Sequence, residues 1–294
     1  MTFANSALVL GLILLYAGQG FFNKLFSVTH PGKPADVTPM FNVLYGGVVV
    51  AGTLIYSRFD IHPDWITWLI GFFNGVSLFL YNYSYINASQ SGPYTLQSMM
   101  GSFGGIIPPL IFSLTLWGDR LTWLQAAGVA LMLAAILLYN LKGLLNGKIQ
   151  WKGFIWVLMV FLSNGLYCIL NDAQQRLEAG AHRNDLITVT FMTAMVISAL
   201  FLIFSRNDGP KKAFHMPGKA LLFALLSSGC AAVAIHLQLY TLGRVPSSLL
   251  FPMENGGILI FHTFLSRFVL KEKLDKWQLL GVLAAVGGLV LTNL

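Results

Sequence analysis

Of the 294 residues, 56% are apolar and only 10% carry a formal charge. A soluble domain is roughly 25% charged, so a water-soluble globular fold is excluded. The net charge of +7 does not point to nucleic acid, because the basic residues sit in short stretches between apolar runs and none lies between Arg58 and Arg120.

The apolar runs are each about 20 residues long, the length a helix needs to cross roughly 30 Å of hydrocarbon. In chain order they predict ten spans, at 3–23, 38–57, 65–87, 93–116, 122–141, 152–172, 185–205, 217–242, 247–268 and 275–293. The first lacks a basic stretch ahead of it and is expected to be retained, not cleaved as a signal. It carries Tyr16 and Gln19. Breakers follow at Pro31-Gly32-Lys33-Pro34 and His62-Pro63, and the third span then places Asn74, Tyr81 and Tyr85 on one helical face. Ser91-Gly92-Pro93 opens the fourth span, and Asn140 to Trp151 reads as the joint between two halves. The sixth span carries Asn164, Tyr167 and Asn171, and Asn207-Asp208-Gly209-Pro210 closes the seventh. The eighth span holds His236 and the ninth Glu254, joined by a short loop through Arg244 and Val245-Pro246. Tyr56, Trp65, Trp68, Trp117, Trp123, Trp151 and Trp277 fall at span ends, as interfacial aromatics do. Cys168 and Cys230 lie within spans and form no disulfide framework.

Pro246 to Asn293 repeats Pro93 to Asn140 at an offset of 153 without a gap. Leu96/Leu249, Met100/Met253, Gly104/Gly257, Gln125/Gln278, Gly128/Gly281 and Asn140/Asn293 are among the identical pairs. The expected architecture is an all-α polytopic membrane protein of two five-helix repeats, residues 1–146 and 147–294, with no soluble domain. Five spans per half is odd, so the halves enter the bilayer from opposite sides. Substrate sites in such inverted pairs lie near the midplane between the repeats. Helices 1–5 and 6–10 are the expected moving bodies. If both ends were cytoplasmic, only Arg58, Arg120, Arg176, Arg183 and Arg244 would share that side, so the charge count prefers both termini outside.

Glu254 lies eight residues beyond Pro246, about 12 Å into its helix. A carboxylate there costs about 3 kcal/mol unless it faces protein or water, so it marks a functional site or a structural acid. His236 lies at nearly the same depth and is its expected partner in proton coupling. Tyr16, Gln19, Asn74, Tyr81, Tyr85, Asn164, Tyr167, His236 and Glu254 are the expected substrate-binding set. One carboxylate among tyrosines suits an amine, through charge and about 0.5–2 kcal/mol of cation–π attraction. A phosphorylated anion would want Arg or Lys at mid-depth, and only Lys24 and Arg267 come near, each at a helix end.

The repeated hinge reads Asp119-Arg120-Leu121 with Gln125 and Gly128, then Glu272-Lys273-Leu274 with Gln278 and Gly281. With Pro252 early in the ninth span, this resembles the EamA-like branch of the drug/metabolite transporter superfamily over the whole chain. Met99 stands where the first half would carry a matching proline, and a Trp-Gly in the first span is absent. The resemblance implies a secondary transporter, often an exporter of amino acids or other small metabolites, and termini in the cytoplasm, against the charge count. No His-Glu-x-x-His, paired intramembrane aspartates, metal-binding acidic cluster or phosphate loop is present, so an enzyme is not expected, nor a cofactor or metal. The expected function is export of an amino acid or organic cation, coupled to protons, across a bacterial plasma membrane by a monomer or homodimer. A carrier of apolar or aromatic metabolites or drugs, with Glu254 serving protons alone, and a facilitative channel are the alternatives.

Overall fold

The computed structural model describes residues 2–30, 34–91, 94–146, 151–178, 180–204, 216–268 and 274–294. Among these residues the chain forms ten helices and no strand. They are α1 (Phe3–Thr29), α2 (Pro34–Tyr56), α3 (Trp65–Ser91), α4 (Tyr94–Thr115), α5 (Trp123–Asn146), α6 (Trp151–Leu177), α7 (Arg183–Phe204), α8 (Gly218–Leu242), α9 (Ser247–Phe268) and α10 (Lys276–Asn293). Several outrun their apolar cores, because a helix does not stop where its side chains turn polar. In particular α5 continues through Asn146, so the joint predicted at Asn140 to Trp151 shrinks to a few residues. The stretches Pro31-Gly32-Lys33, Gly92-Pro93, Asn207-Asp208-Gly209-Pro210 and Lys271-Glu272-Lys273 lie outside the described residues.

Among the described residues, seven helices are long and apolar enough to cross a membrane: α1, α2 and α4 to α8. The other three are diluted by polar residues. In α3 these include Asn74, Ser77, Asn82, Ser84 and Asn87, in α9 Glu254 and Asn255, and in α10 Lys276, Gln278 and Asn293.

The helices of the two halves interleave. α1 packs on α8 and α9, and α6 packs on α3 and α4. α2 packs on α7 and α8, while α7 packs on α2 and α3. α4 meets α9, and α5 lies along α10. Exchanging the halves maps each of these pairings onto another or onto itself. Ser6 Oγ lies 3.0 Å from Asn293 Oδ1, so the start of α1 and the end of α10 are at one end of the bundle.

The repeated residues have matching structural jobs. Thr122 and Gln125 cap α5 reciprocally, the backbone N–H of Thr122 donating to Gln125 Oε1 at 3.0 Å and that of Gln125 to Thr122 Oγ1 at 3.3 Å. Asp275 and Gln278 build the same capping box on α10. Gly104 lets α4 close on the Phe161 backbone of α6, and Gly257 lets α9 close on Ile13 of α1. Gly128 and Gly281 bring α5 and α10 together. A Cβ at Gly128 would lie 2.7 Å from Thr292 Cγ2 and 2.9 Å from the Gly288 carbonyl oxygen. Gly128→Val is therefore expected to part the pair and cost about 1–3 kcal/mol. The check is the Tm of the purified protein in detergent, where an unchanged value would show that the contact yields freely.

Polar contacts concentrate at the end that holds the termini. His182 Nδ1 is 2.7 Å from Asp185 Oδ2, and that bond raises the imidazole above its ordinary pKa. Asp185 also accepts from the His62 N–H at 2.8 Å, tying the α2–α3 loop to α7. Trp65 and Trp123 are exposed as interfacial aromatics are, but Trp117 instead underlies the Arg176 guanidinium at 5.4 Å.

Candidate functional site

A cavity of about 140 Å³ lies at the centre of the bundle. One water needs about 10–15 Å³ of such space, so the cavity has room for a small solute. Eight helices build its wall, and α5 and α10 add none. Tyr16 of α1, Tyr45 of α2, Tyr81 of α3 and Tyr167 of α6 surround it with phenol rings. Asn164 and Cys168 of α6 and Asn255 of α9 add polar groups, and Phe191 and Phe251 add apolar ones. Glu254 of α9 and Gln238 of α8 complete the wall.

Glu254 takes its place from the local sequence of α9. Pro252 lacks the N–H that would bond back to Ser248, loosening the helix beside the acid. Gly256, about 200° around the helix from Glu254, makes the close approach to Met132 of α5. The acid is thereby directed away from α5 and into the cavity. It is 8% exposed and accepts from Gln238 Nε2 at 2.8 Å. None of the described residues lining the cavity is a cation.

Of the expected site residues, Tyr16, Tyr81, Asn164, Tyr167 and Glu254 come together on the cavity wall. Asn164 donates to the Gly101 carbonyl at 2.8 Å, and Gly101 is the position that corresponds to Glu254 in the repeat. Gln19 does not line the cavity; its Nε2 lies 3.4 Å from the hydroxyl of Tyr45, which does. Tyr85 lies tilted against Tyr81, ring centroids 5.7 Å apart, and stays off the wall. Asn74 is in a buried polar seam between α3, α6 and α7, its Nδ2 2.7 Å from Asn171 Oδ1 and 3.3 Å from Thr190 Oγ1. The seam continues to Gln174, which donates to Thr67 Oγ1 at 2.8 Å.

His236 and Glu254 are not brought together. The imidazole meets Thr53 Oγ1 at 3.0 Å and the Tyr56 ring at 5.1 Å, on the α2 side of α8. Gln238 follows His236 by two residues, about 200° of helix, so the two cannot share a face. The buried face of α8 is legible as Ala224, Ser228, Ala231, Ile235, Gln238 and Leu242, a small-residue and apolar stripe that includes Gln238 and omits His236. That stripe was the available signal for Gln238. Tyr45 and Cys168, also absent from the expected set, gave no signal beyond lying in mid-span.

Residues 151–294 match the EamA-like transporter family. No curated protein matches the sequence. A solved structure, titled only as the crystal structure of a protein, is similar over 98% of this chain and 96% of that chain. Its TM-score is 0.77 at 17% identity, a likeness of fold alone. Together with the apolar helices, the family match marks a multi-pass membrane protein whose residues 151–294 are similar to a transporter family.

Proposed function

We propose that this chain, whose residues 151–294 belong to the EamA-like transporter family, is a secondary active transporter that exports a small amine-bearing metabolite in exchange for protons. The observation that carries this reading is Glu254, a buried carboxylate in the wall of a tyrosine-lined cavity. The acid supplies the charge partner for an ammonium group, and the rings supply cation–π attraction. Amides such as Asn164 and Asn255 suit the carboxylate of an amino acid.

All ten helices then cross the plasma membrane, as two halves of opposite orientation. The support is the pattern of helix pairs, which is preserved when the halves are exchanged. Because α1 and α2 pack with α8, and α6 and α7 with α3, the rocking bodies mix both halves. They replace the division into helices 1–5 and 6–10. Cavity-lining aromatics also favour a second reading, in which aromatic solutes fill the cavity and Glu254 serves protons alone.

A thermal-shift screen of amino acids, polyamines, quaternary amines, nucleosides and sugar phosphates on the purified protein tests the substrate class. A true substrate at 100 times its Kd is expected to stabilise by about 2.7 kcal/mol. Stabilisation by amine-bearing solutes is the expected result, and stabilisation by phosphorylated anions alone would sink the proposal. Counterflow in vesicles then separates carrier from channel, since only a carrier shows saturable exchange.

A further inference from the structure

One polar atom of the cavity wall has no hydrogen-bond partner among the described residues. Gln238 is 3% exposed and uses Nε2–H to hold Glu254 Oε2 at 2.8 Å. A carboxylate oxygen only accepts, so the amide nitrogen faces it and the amide oxygen is turned elsewhere. That oxygen, Oε1, is buried and has no hydrogen-bond partner among the described residues. The other wall amides differ. Asn164 donates to the Gly101 carbonyl and Asn255 to the Phe251 carbonyl, and neither leaves an orphaned buried atom. Buried acceptors are nearly always paired, so Gln238 Oε1 is an acceptor awaiting a donor. It lies on the amide that holds the one cavity carboxylate, whose single hydrogen bond among the described residues uses Oε2.

We infer that Gln238 is a specificity-determining residue that accepts a second N–H from the substrate's ammonium group while Glu254 accepts the first. The site therefore selects primary and secondary ammonium groups against fully alkylated ones. This rests on the proposal that Glu254 is the charge partner of an amine. The tyrosine rings attract any cation by its charge, so they do not distinguish a quaternary nitrogen from a primary one. Hydrogen-bond acceptors do. A quaternary ammonium has no N–H, and in the cavity it would leave both acceptors unpaired. A tertiary ammonium has one N–H and satisfies one acceptor. Primary and secondary ammonium groups have at least two and satisfy both. The affinity series therefore breaks between secondary and tertiary amines, where charge and size alone would give a smooth trend.

The test uses full-length protein in nanodiscs with Cys230→Ser, which leaves Cys168 as the single thiol, on the cavity wall. Protection of Cys168 from alkylation reports the binding of phenethylamine and of its N-methyl, N,N-dimethyl and N,N,N-trimethyl derivatives. Phenethylamine and its N-methyl derivative are expected to protect alike. The dimethyl form is expected to be weaker by about 5–100-fold, the worth of one unpaired buried acceptor, and the trimethyl form weaker again. In Gln238→Met, which keeps the length and removes the amide, the break is expected to disappear while the remaining affinity still depends on Glu254. An unbroken series in the parent protein, or a break that survives in Gln238→Met, overturns the inference and leaves the amine proposal standing. Loss of all four affinities by the same factor in Gln238→Met overturns it too, since that is what a merely structural role predicts. If none of the four protects the parent protein, the amine proposal fails and this inference falls with it.

Discussion

In vesicles holding Glu254→Gln protein, accumulation driven by a pH difference is expected to vanish while exchange of labelled for unlabelled substrate at saturation persists. One coupled proton supplies about 1.4 kcal/mol per pH unit, or about tenfold accumulation, and removing the titrating group takes that ratio to one. The substitution keeps the volume of the side chain and an oxygen for Gln238 Nε2 to bond. It removes a charge that is 8% exposed and has one amide for a partner. Holding an ion in such a place opposes folding by several kcal/mol unless the site compensates for it. The Tm of the variant is therefore expected to hold or rise. A fall in Tm together with lost exchange would assign the acid to packing, as would pH dependence that survives the substitution.

Depth was legible in the sequence of this protein and azimuth was not. Counting residues from Arg244 places His236 and Glu254 at one level, and the residue that bonds Glu254 is Gln238, two positions along α8 from His236. The direction of each side chain depends on which helix lies alongside, and the neighbours here come largely from the other half of the chain. α8 is held between α1 and α2, so its polar residue at 236 meets α2 and the one at 238 meets the cavity. Asn74 shows the same effect. Its stripe with Tyr81 is real, but α6 and α7 close over the Asn74 end and leave Tyr81 alone to reach the cavity. The repeat was legible in finer detail than the spans, because identical residues at one offset do the same local work. Gln125 and Gln278 each close a capping box, and Gly104 and Gly257 each admit a helix from the opposite half. Charge at the helix ends was the hardest to read. Arg176 and Arg120 look alike as loop residues, yet Arg120 is exposed and Arg176 is enclosed by Asp172, its i,i+4 neighbour, and by Asp119, which no local pattern pairs with it.

Arg176 is where a single substitution is expected to do most damage to the fold. Its Nη1 and Nη2 hold both oxygens of Asp119 at 3.0 and 2.7 Å, and its Nε holds Asp172 at 3.0 and 3.1 Å. Ser113 donates to Asp119, and Ser247, at the start of α9, donates to Asp172 at 2.8 Å. One guanidinium thus ties the α4–α5 loop, α6 and α9 together at the end that holds the termini. Two of those helices, α6 and α9, carry cavity residues one to two turns further in: Cys168 precedes Asp172 by four residues, and Glu254 follows Ser247 by seven. Arg176→Met keeps the packing of the stem and strands two carboxylates whose side chains are 12% and 2% exposed. The expected loss is about 3 kcal/mol, at the low end for a broken buried pair because the Arg176 side chain itself is 25% exposed. Burial pushes the Asp119 carboxyl up, but the bonds from Arg176 and Ser113 outweigh it and hold the group below its ordinary pKa. A depressed carboxyl stabilises at all pH above its unfolded value of about 3.9 and loses that contribution only as pH falls through the folded one. The Asp119 contribution is therefore constant through neutral pH, and pH dependence of transport between 6 and 8 belongs elsewhere. In the Cys230→Ser background, Arg176→Met is also expected to speed alkylation of Cys168 by a reagent confined to the side of the termini. A lower Tm with unchanged labelling would make the cluster a brace. A lower Tm with faster labelling makes it the closure of the cavity at that end, held by one arginine between two acids.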